Sequence, residues 1–374
     1  MMKRVAGLIV FFLIIFSCNT SVKENEENYV RTINLDTHLN FDMKVAEVKY
    51  IPLETKEESM FHEMSKVIYR NNLFYIFDRK GKAIFVFDNN GMFIRKIHNV
   101  GGGPEEYIEP SDVDVDKLGN IYVSDNATKR IIVYPESQNE TVNVIDIDRY
   151  FWEFAVADSN FIYLSDVVSK GKMNIKLAKY NRHNKHFDIL EESDLDETGN
   201  LAHFAKHYFY RSNDEIYYYM RFSPCIYRIG GAEVTKDFKI QSKWLPTKDK
   251  IMQWKAGGMQ SIITDEKYMR DISACYETDN TFFIVSQTTP SLYTIINKKT
   301  QKVYNMHLFN DKRLDSCIHV LSSDGKFYVS SFLPTSKTIS YILSNDNLTD
   351  SAHLKCIENL TEDSNPVLVL FRFE

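Results

Sequence analysis

Residues 73–88 read LFYIFDRKGKAIFVFD, and residues 120–135 read NIYVSDNATKRIIVYP. The two segments align without a gap, Tyr75 on Tyr122 and Asp78 on Asp125. Runs of β-branched and aromatic residues bounded by turn formers are the pattern of short strands. The pattern returns as FIYLSD around Tyr163, EIYYYM around Tyr217, TFFIVS around Phe283 and KFYVSS around Tyr328. Successive aromatics stand 47, 41, 54, 66 and 45 residues apart. Three positions ahead of each lies Asn72, Gly119, Asn160, Asp214, Asn280 or Gly325. All are residue types that tolerate the positive φ of a tight hairpin. Each turn follows a further apolar run, so a unit reads strand, tight turn, strand, longer turn, strand, usually with a fourth strand.

A period near 45 with four strands per unit predicts a propeller, because a four-stranded sheet must bury both faces against neighbours. The expected fold is therefore all-β, a six-bladed β-propeller of four-stranded antiparallel blades. EVKYIPLE (47–54) and NPVLVLFRFE (365–374) read as strands that pair and close the ring. A β-sandwich or two small β domains is the competing arrangement, which six matched turns disfavour. The segment 243–273 breaks the strand pattern. Ile251 and Trp254 there have near-helical spacing, ended by Gly257 and Gly258. The segment holds two of the three tryptophans, Trp244 and Trp254. A long insertion can cap a pocket, and exposed Trp suits sugar or protein contacts, so these two are the candidate ligand-binding residues. The alternative is a helix packed on the side of the ring with both rings buried.

HNVGGGPEEYIEPSDV (98–113) invites a phosphate-loop reading, but no strand-to-helix transition follows its glycines. With the residues after it, the stretch instead resembles the NHL repeat. Gly101 to Gly103, Tyr107, Pro110, Asp116, Gly119, Asp125 and Arg130 match that family's Gly-rich crossing and core. The resemblance implies a crossover between the first and second blades. The wider layout resembles the six-bladed β-propeller lipoproteins of Bacteroidota.

The chain opens MMKRVAGLIVFFLIIFSC, with Lys3 and Arg4 ahead of a twelve-residue apolar run that is short for a membrane span. Ile15-Phe16-Ser17-Cys18 resembles a lipobox, with Phe16 a departure from its usual form. The resemblance implies cleavage before Cys18, acylation of that residue (palmitate among its chains), and residence at the outer membrane, facing the periplasm or the cell surface. An ordinary secretion signal with an incidental Cys is the alternative. Residues after Cys18 are polar, with Glu24, Glu26 and Glu27 close together. Such a segment buries too little apolar surface to fold. The expected organisation is a signal peptide at 1–17, an acidic flexible tether at 18–40, and the propeller at 41–374 with its insertion at 243–273.

The formal net charge is −6 and no basic block occurs, which argues against nucleic acid as a partner. Cys225, Cys275, Cys317 and Cys356 are too far apart for a CxxC motif. His203 and His207 in HFAKH would lie about 13 Å apart on a strand, too far for one ion. No Gly-x-Ser-x-Gly elbow appears. Asp78, Asp125 and Asp166 share one repeat position, which suits a hydrogen bond repeated from blade to blade. The linear sequence thus shows no catalytic set, metal-ligand set or cofactor motif. The first expectation is a membrane-anchored, non-enzymatic propeller that binds a protein or glycan. The alternative is a metal-dependent lactonase or lyase with its site in the central channel.

Overall fold

The computed structural model describes residues 31–36, 43–137, 139–193, 207–308, 311, 313–314, 319–344 and 354–374. Cys18 with its signal segment, His203 and Cys317 lie outside the described residues. Strand β1 (Arg31–Asn34) and strand β2 (Val45–Pro52) come first. The first antiparallel sheet follows, β3 (Lys66–Arg70), β4 (Leu73–Asp78), β5 (Ala83–Asp88) and β6 (Phe93–Ile97). The second holds β7 (Pro110–Val115), β8 (Ile121–Asp125), β9 (Arg130–Tyr134) and β10 (Asn143–Asp146). The third holds β11 (Glu153–Val156), β12 (Phe161–Ser169), β13 (Lys172–Asn181) and β14 (His186–Glu192). Next come β15 (Phe209–Ser212), β16 (Glu215–Tyr219), β17 (Cys225–Gly230) and β18 (Glu233–Gln241), then helices α1 (Lys248–Gly257) and α2 (Met259–Ile263). Strands β19 (Ile272–Glu277), β20 (Thr281–Ser286), β21 (Leu292–Asn297) and β22 (Val303–Met306) make another four-stranded sheet. The chain ends with β23 (Ser322–Ser323), β24 (Tyr328–Phe332), helix α3 (Ser336–Ser344) and β25 (Val367–Phe373).

The strands gather into four four-stranded sheets and one nine-stranded sheet ordered β1-β18-β17-β16-β15-β23-β24-β25-β2. Two antiparallel runs of four meet in that larger sheet through one parallel bridge, Ser212 to Ser323. The leading strands touch in a closed circle: β3 to β7, β7 to β11, β11 to β15, β15 to β19, β19 to β23, and β23 back to β3. Apolar clusters fill the spaces between facing sheets. Ile68, Tyr75 and Phe77 of the first sheet pack with Val113, Val115 and Ile121 of the second, all buried. Phe154, Ile162 and Leu164 of the third meet Tyr122 and Ile131 of the second. This is the arrangement of a β-propeller.

The N- and C-terminal strands pair as the sequence suggested. β2 runs antiparallel to β25 with Tyr50 opposite Val369. Gly91 fixes the end of this seam. Its φ is +83°, and a Cβ there would lie 2.2 Å from the Pro52 carbonyl oxygen. Gly91→Ala is therefore expected to destabilise the fold by about 1–3 kcal/mol through combined backbone strain and clash, measured by urea denaturation.

Residues 31–36, which the expected tether of residues 18–40 included, pack on the fold. β1 pairs parallel with β18, Ile33 opposite Ile240. Ile33 and Leu35 are buried against Phe238 and Ile240, and Arg31 pairs with Asp237. An alternating apolar pair beside an exposed sheet edge is enough to order the segment.

The turns follow the expected chemistry unevenly. Asn72, Gly119 and Gly325 have positive φ (59°, 87° and 88°), while Asn213 (55°) takes that role one residue before Asp214. Asn160 and Asn280 do not. Asp158 accepts the Asn160 and Phe161 amides at 2.7 and 2.9 Å, and the Thr278 hydroxyl accepts the Thr281 amide at 3.2 Å. Side-chain acceptors there replace a left-handed backbone.

The Gly-rich stretch is a crossing from β6 to β7, and a strand, not a helix, follows it. The Glu106 carboxylate accepts the Gly103 amide at 2.7 Å, and a Cβ on Gly101 would lie 2.0 Å from that carboxylate. Arg130 donates to the carbonyls of Gly103 and Glu106. Tyr107 is fully buried and donates to the Lys82 carbonyl at 2.8 Å. These bonds tie the loop to the neighbouring strands.

Candidate functional site at the axial mouth

The repeat reaches further back than its turns. Nine or ten residues ahead of the six aligned aromatics stand Lys66, Asp112, Glu153, His207, Ser273 and His319. They lie at or near the starts of β3, β7, β11, β15, β19 and β23, the strands of the inner circle. The crossing loops enter at this end. Equivalent positions therefore converge on the axis although they are tens of residues apart in sequence.

Lys66 is the hub. Its Nζ donates to Asp112 Oδ1 at 2.9 Å and to Glu153 Oε1 at 3.2 Å. His207 Nδ1 lies 2.9 Å from Glu153 Oε1, and its Nε2 lies 3.1 Å from the Ser65 carbonyl oxygen. Glu153 Oε2 accepts the Tyr208 and Phe209 amides at 2.6 and 3.1 Å. Asp112 Oδ2 accepts the Phe154 amide at 3.1 Å. One layer deeper, Arg211 grips Asp114 with Nε at 3.0 Å and Nη2 at 2.5 Å. At the far end buried Arg70 pairs with Asp214 and donates to the Val115 carbonyl. The innermost cavity is about 20 Å³. A space that small holds about one water, so the channel is a packed ionic core.

Burial alone would lower the Lys66 pKa, but Asp112 and Glu153 outweigh it and hold the ammonium charged well above its ordinary value. Burial raises both carboxylates. For Glu153, the Lys66 charge, the His207 contact and the Tyr208 amide reverse that rise and keep it ionised. Asp112 has fewer donors and the Glu153 charge nearby, and is pushed up to about 6. Its neutral form is thus favoured in the fold, so between about pH 4 and 6 the folded state carries the extra proton. Stability from this group is expected to fall as pH rises through that window. Asp112→Asn should flatten that part of a stability profile, which denaturant titrations from pH 4 to 7 would show.

Asp112, Glu153 and His207 each offer one ligand atom, all within 4.8 Å of one another. Two carboxylates and an imidazole suit a divalent cation. The ammonium of Lys66 already bridges the two carboxylates. This set had no motif in the sequence, where His207 was paired with His203 instead.

Beside the cluster opens a pocket of about 360 Å³. Lys66, His207, Ser273 and His319 of the axial set line it, with Tyr276, Tyr293, Gln287 and Arg270. Arg270 and Ser273 come from the end of the insertion, so that segment does border a pocket. Its tryptophans do not. Trp254 is 1% exposed, enclosed by Ile251, Ile262, Phe222 and Tyr268, and its Nε1 donates to Asp265 Oδ2 at 3.2 Å. Trp244 is half-buried and packs on the main core cluster. The expected exposed ring of Trp254 is thus replaced by one buried under a helix packed on the ring. Trp254→Ala is expected to cost about 3–5 kcal/mol, read as a lowered denaturation midpoint.

The recurring aspartates are structural at two of their three positions. Asp78 accepts the His62 and Gly81 amides at 2.8 Å each, and Asp125 accepts the Ile108 and Glu109 amides at 3.1 Å each. Each clamps a crossing loop to a strand end. Asp166 instead pairs with buried Lys176 at 2.8 Å.

A larger cavity of about 510 Å³ opens at the opposite end of the ring. Several of its charged residues are held in place: Arg70 pairs with Asp214, Arg182 donates to the Tyr122 hydroxyl, and Asp116 and Asp158 cap their own turns.

The closed circle of leading strands, the sheets stacked around it and the ionic axis define a β-propeller. The chain belongs to DUF4934, described as a domain of unknown function, which it matches over residues 28–372. A crystal structure from Bacteroides fragilis, described as an exported protein, superposes with a TM-score of 0.74 at 17% identity, over 92% of this chain and 100% of that one. A DUF4221 member from Bacteroides vulgatus gives 0.53 at 12% identity, over 89% and 98%. Virginiamycin B lyase from Staphylococcus aureus gives 0.40 at 10% identity, over 76% and 81%, too distant to inform activity. No functionally curated protein matches the chain. Among the described residues no helix is long and apolar enough to cross a membrane.

Proposed function

We propose that this protein is a six-bladed, envelope-anchored propeller that binds a small ligand, or one residue of a glycan or protein, at the axial mouth, and performs no chemistry on it. The observation that carries the reading is the Lys66 bridge. An ionised carboxylate is a general base or a metal ligand only when it is free to act. Both axial carboxylates are committed to an internal cation and to backbone amides. The adjoining pocket, by contrast, is lined by the polar residues Arg270, Ser273, Gln287, Ser291 and His319, and its size falls in the range of ligand sites. Six axial positions at equivalent repeat offsets support six blades, with the nine-stranded sheet counted as two. The resemblance of Ile15-Phe16-Ser17-Cys18 to a lipobox supports anchoring through Cys18, which we place at the outer membrane.

The test is a thermal-shift screen of residues 19–374 against envelope glycan fragments and short peptides, followed by NMR of each hit over a day. The expected result is a stabilising ligand recovered unchanged. Conversion of the ligand would overturn the reading. The second reading, a metal-dependent lactonase or lyase, is favoured by the clustering of Asp112, Glu153 and His207. It requires Lys66 to withdraw.

A further inference from the structure

We infer that the axial-mouth pocket is built for an anion, a small ring-bearing molecule carrying a carboxylate or sulfate group. The inference rests on the binding reading above and names the chemistry of the ligand. No Asp or Glu lines this pocket among the described residues, although acids outnumber bases in the whole chain, 51 to 45. Its charged residue toward the insertion is Arg270. That guanidinium is half-buried and among the described residues makes only long contacts with neutral oxygens: the Ile263 carbonyl at 3.4 Å, and the Thr288 carbonyl and Thr289 hydroxyl at 3.3 Å each. No carboxylate pairs with it among the described residues. The other arginines of the inner ring are different: Arg70, Arg211 and Arg221 each have an aspartate. A positioned guanidinium without a counter-ion recognises carboxylate or sulfate oxygens through charge-assisted hydrogen bonds.

The rest of the lining extends the same chemistry. Ser273, Ser291, Gln287 and His319 supply polar groups around the cavity, and Tyr276 and Tyr293 supply aromatic surface. Tyr276 spends its hydroxyl on the Leu321 carbonyl at 2.7 Å, so its contribution to a ligand is its ring. Behind them Lys66 offsets one of the two axial carboxylate charges and so weakens their repulsion of an anion.

The experiment is isothermal titration of residues 19–374 with glucuronate, a sulfated hexose, inorganic phosphate and neutral glucose. Binding of glucuronate or the sulfated hexose, with glucose at least about tenfold weaker, is expected, and the tighter of the two identifies the anionic group. Arg270→Gln should weaken the bound anion about tenfold or more without shifting the melting temperature, and His319→Gln should weaken it less. Phosphate binding alone would overturn the ring-bearing part of the inference. Glucose binding as well as glucuronate, unaffected by Arg270→Gln, would overturn the inference while leaving a binding pocket. If none of the four binds, the inference fails for these ligand classes, and the wider screen described above then decides the binding reading separately.

Discussion

A chain ending at Ser364 is expected to lose cooperative folding altogether. The segment removed contains β25, whose Val367, Leu368, Val369, Leu370, Phe371 and Phe373 are buried. Burying one such side chain contributes about 1.5–3 kcal/mol, so six contribute about 9–18 kcal/mol. Whole domains are stable by only about 5–15 kcal/mol. The truncation also strips β2 and β24 of the strand between them, since β25 pairs with both. Two open edges invite association of chains. Circular dichroism with denaturant titration and light scattering would show a shallow transition and aggregates. A cooperative transition near that of the full chain would show that the ring does not depend on this seam.

The second large effect is expected at the axis. Lys66→Met removes the cation and leaves Asp112 and Glu153 facing each other, both almost fully buried. Breaking a buried ion pair by removing one partner costs about 3–5 kcal/mol. Part of that loss is relieved when Asp112 takes up a proton, so the variant should be more stable near pH 5 than near pH 8. A divalent cation can substitute for the missing charge through Asp112, Glu153 and His207. At a hundredfold excess over its dissociation constant it would restore about 2.7 kcal/mol. Calcium or manganese should therefore raise the melting temperature of Lys66→Met and leave the native protein unchanged. Adding Glu153→Gln to the variant should abolish the response. Stability equal to the native protein without metal would refute the account of Lys66 as the axial counter-ion.

The fold was legible because a propeller sheet is assembled from strands adjacent in sequence. Tyr75 and Tyr122 sit in strands whose partners begin only a few residues away, so turn residues and alternation carry the information. Where another side chain could shape the turn, as Asp158 does ahead of Asn160, the backbone conformation did not follow the residue type. The site was less legible. Lys66, Asp112, Glu153 and His207 bond to one another across 46, 87 and 54 residues. Nothing local marks such a set. The signal was nevertheless present, as a polar residue nine or ten positions before each repeated aromatic. Five of those six residues are charged or titratable, at or beside strands otherwise rich in buried apolar groups. Trp254 misled for the opposite reason, since a large aromatic in an irregular segment serves a small local core as well as a surface.

The most direct test of the central claim is metal analysis of the native chain, residues 19–374, after dialysis against calcium and zinc. Because Lys66 already supplies the axial positive charge, mass spectrometry is expected to find well below one equivalent of any metal. One equivalent per chain, retained through dialysis and lost in Glu153→Gln, would contradict the claim and place a metal centre where the structure places the lysine.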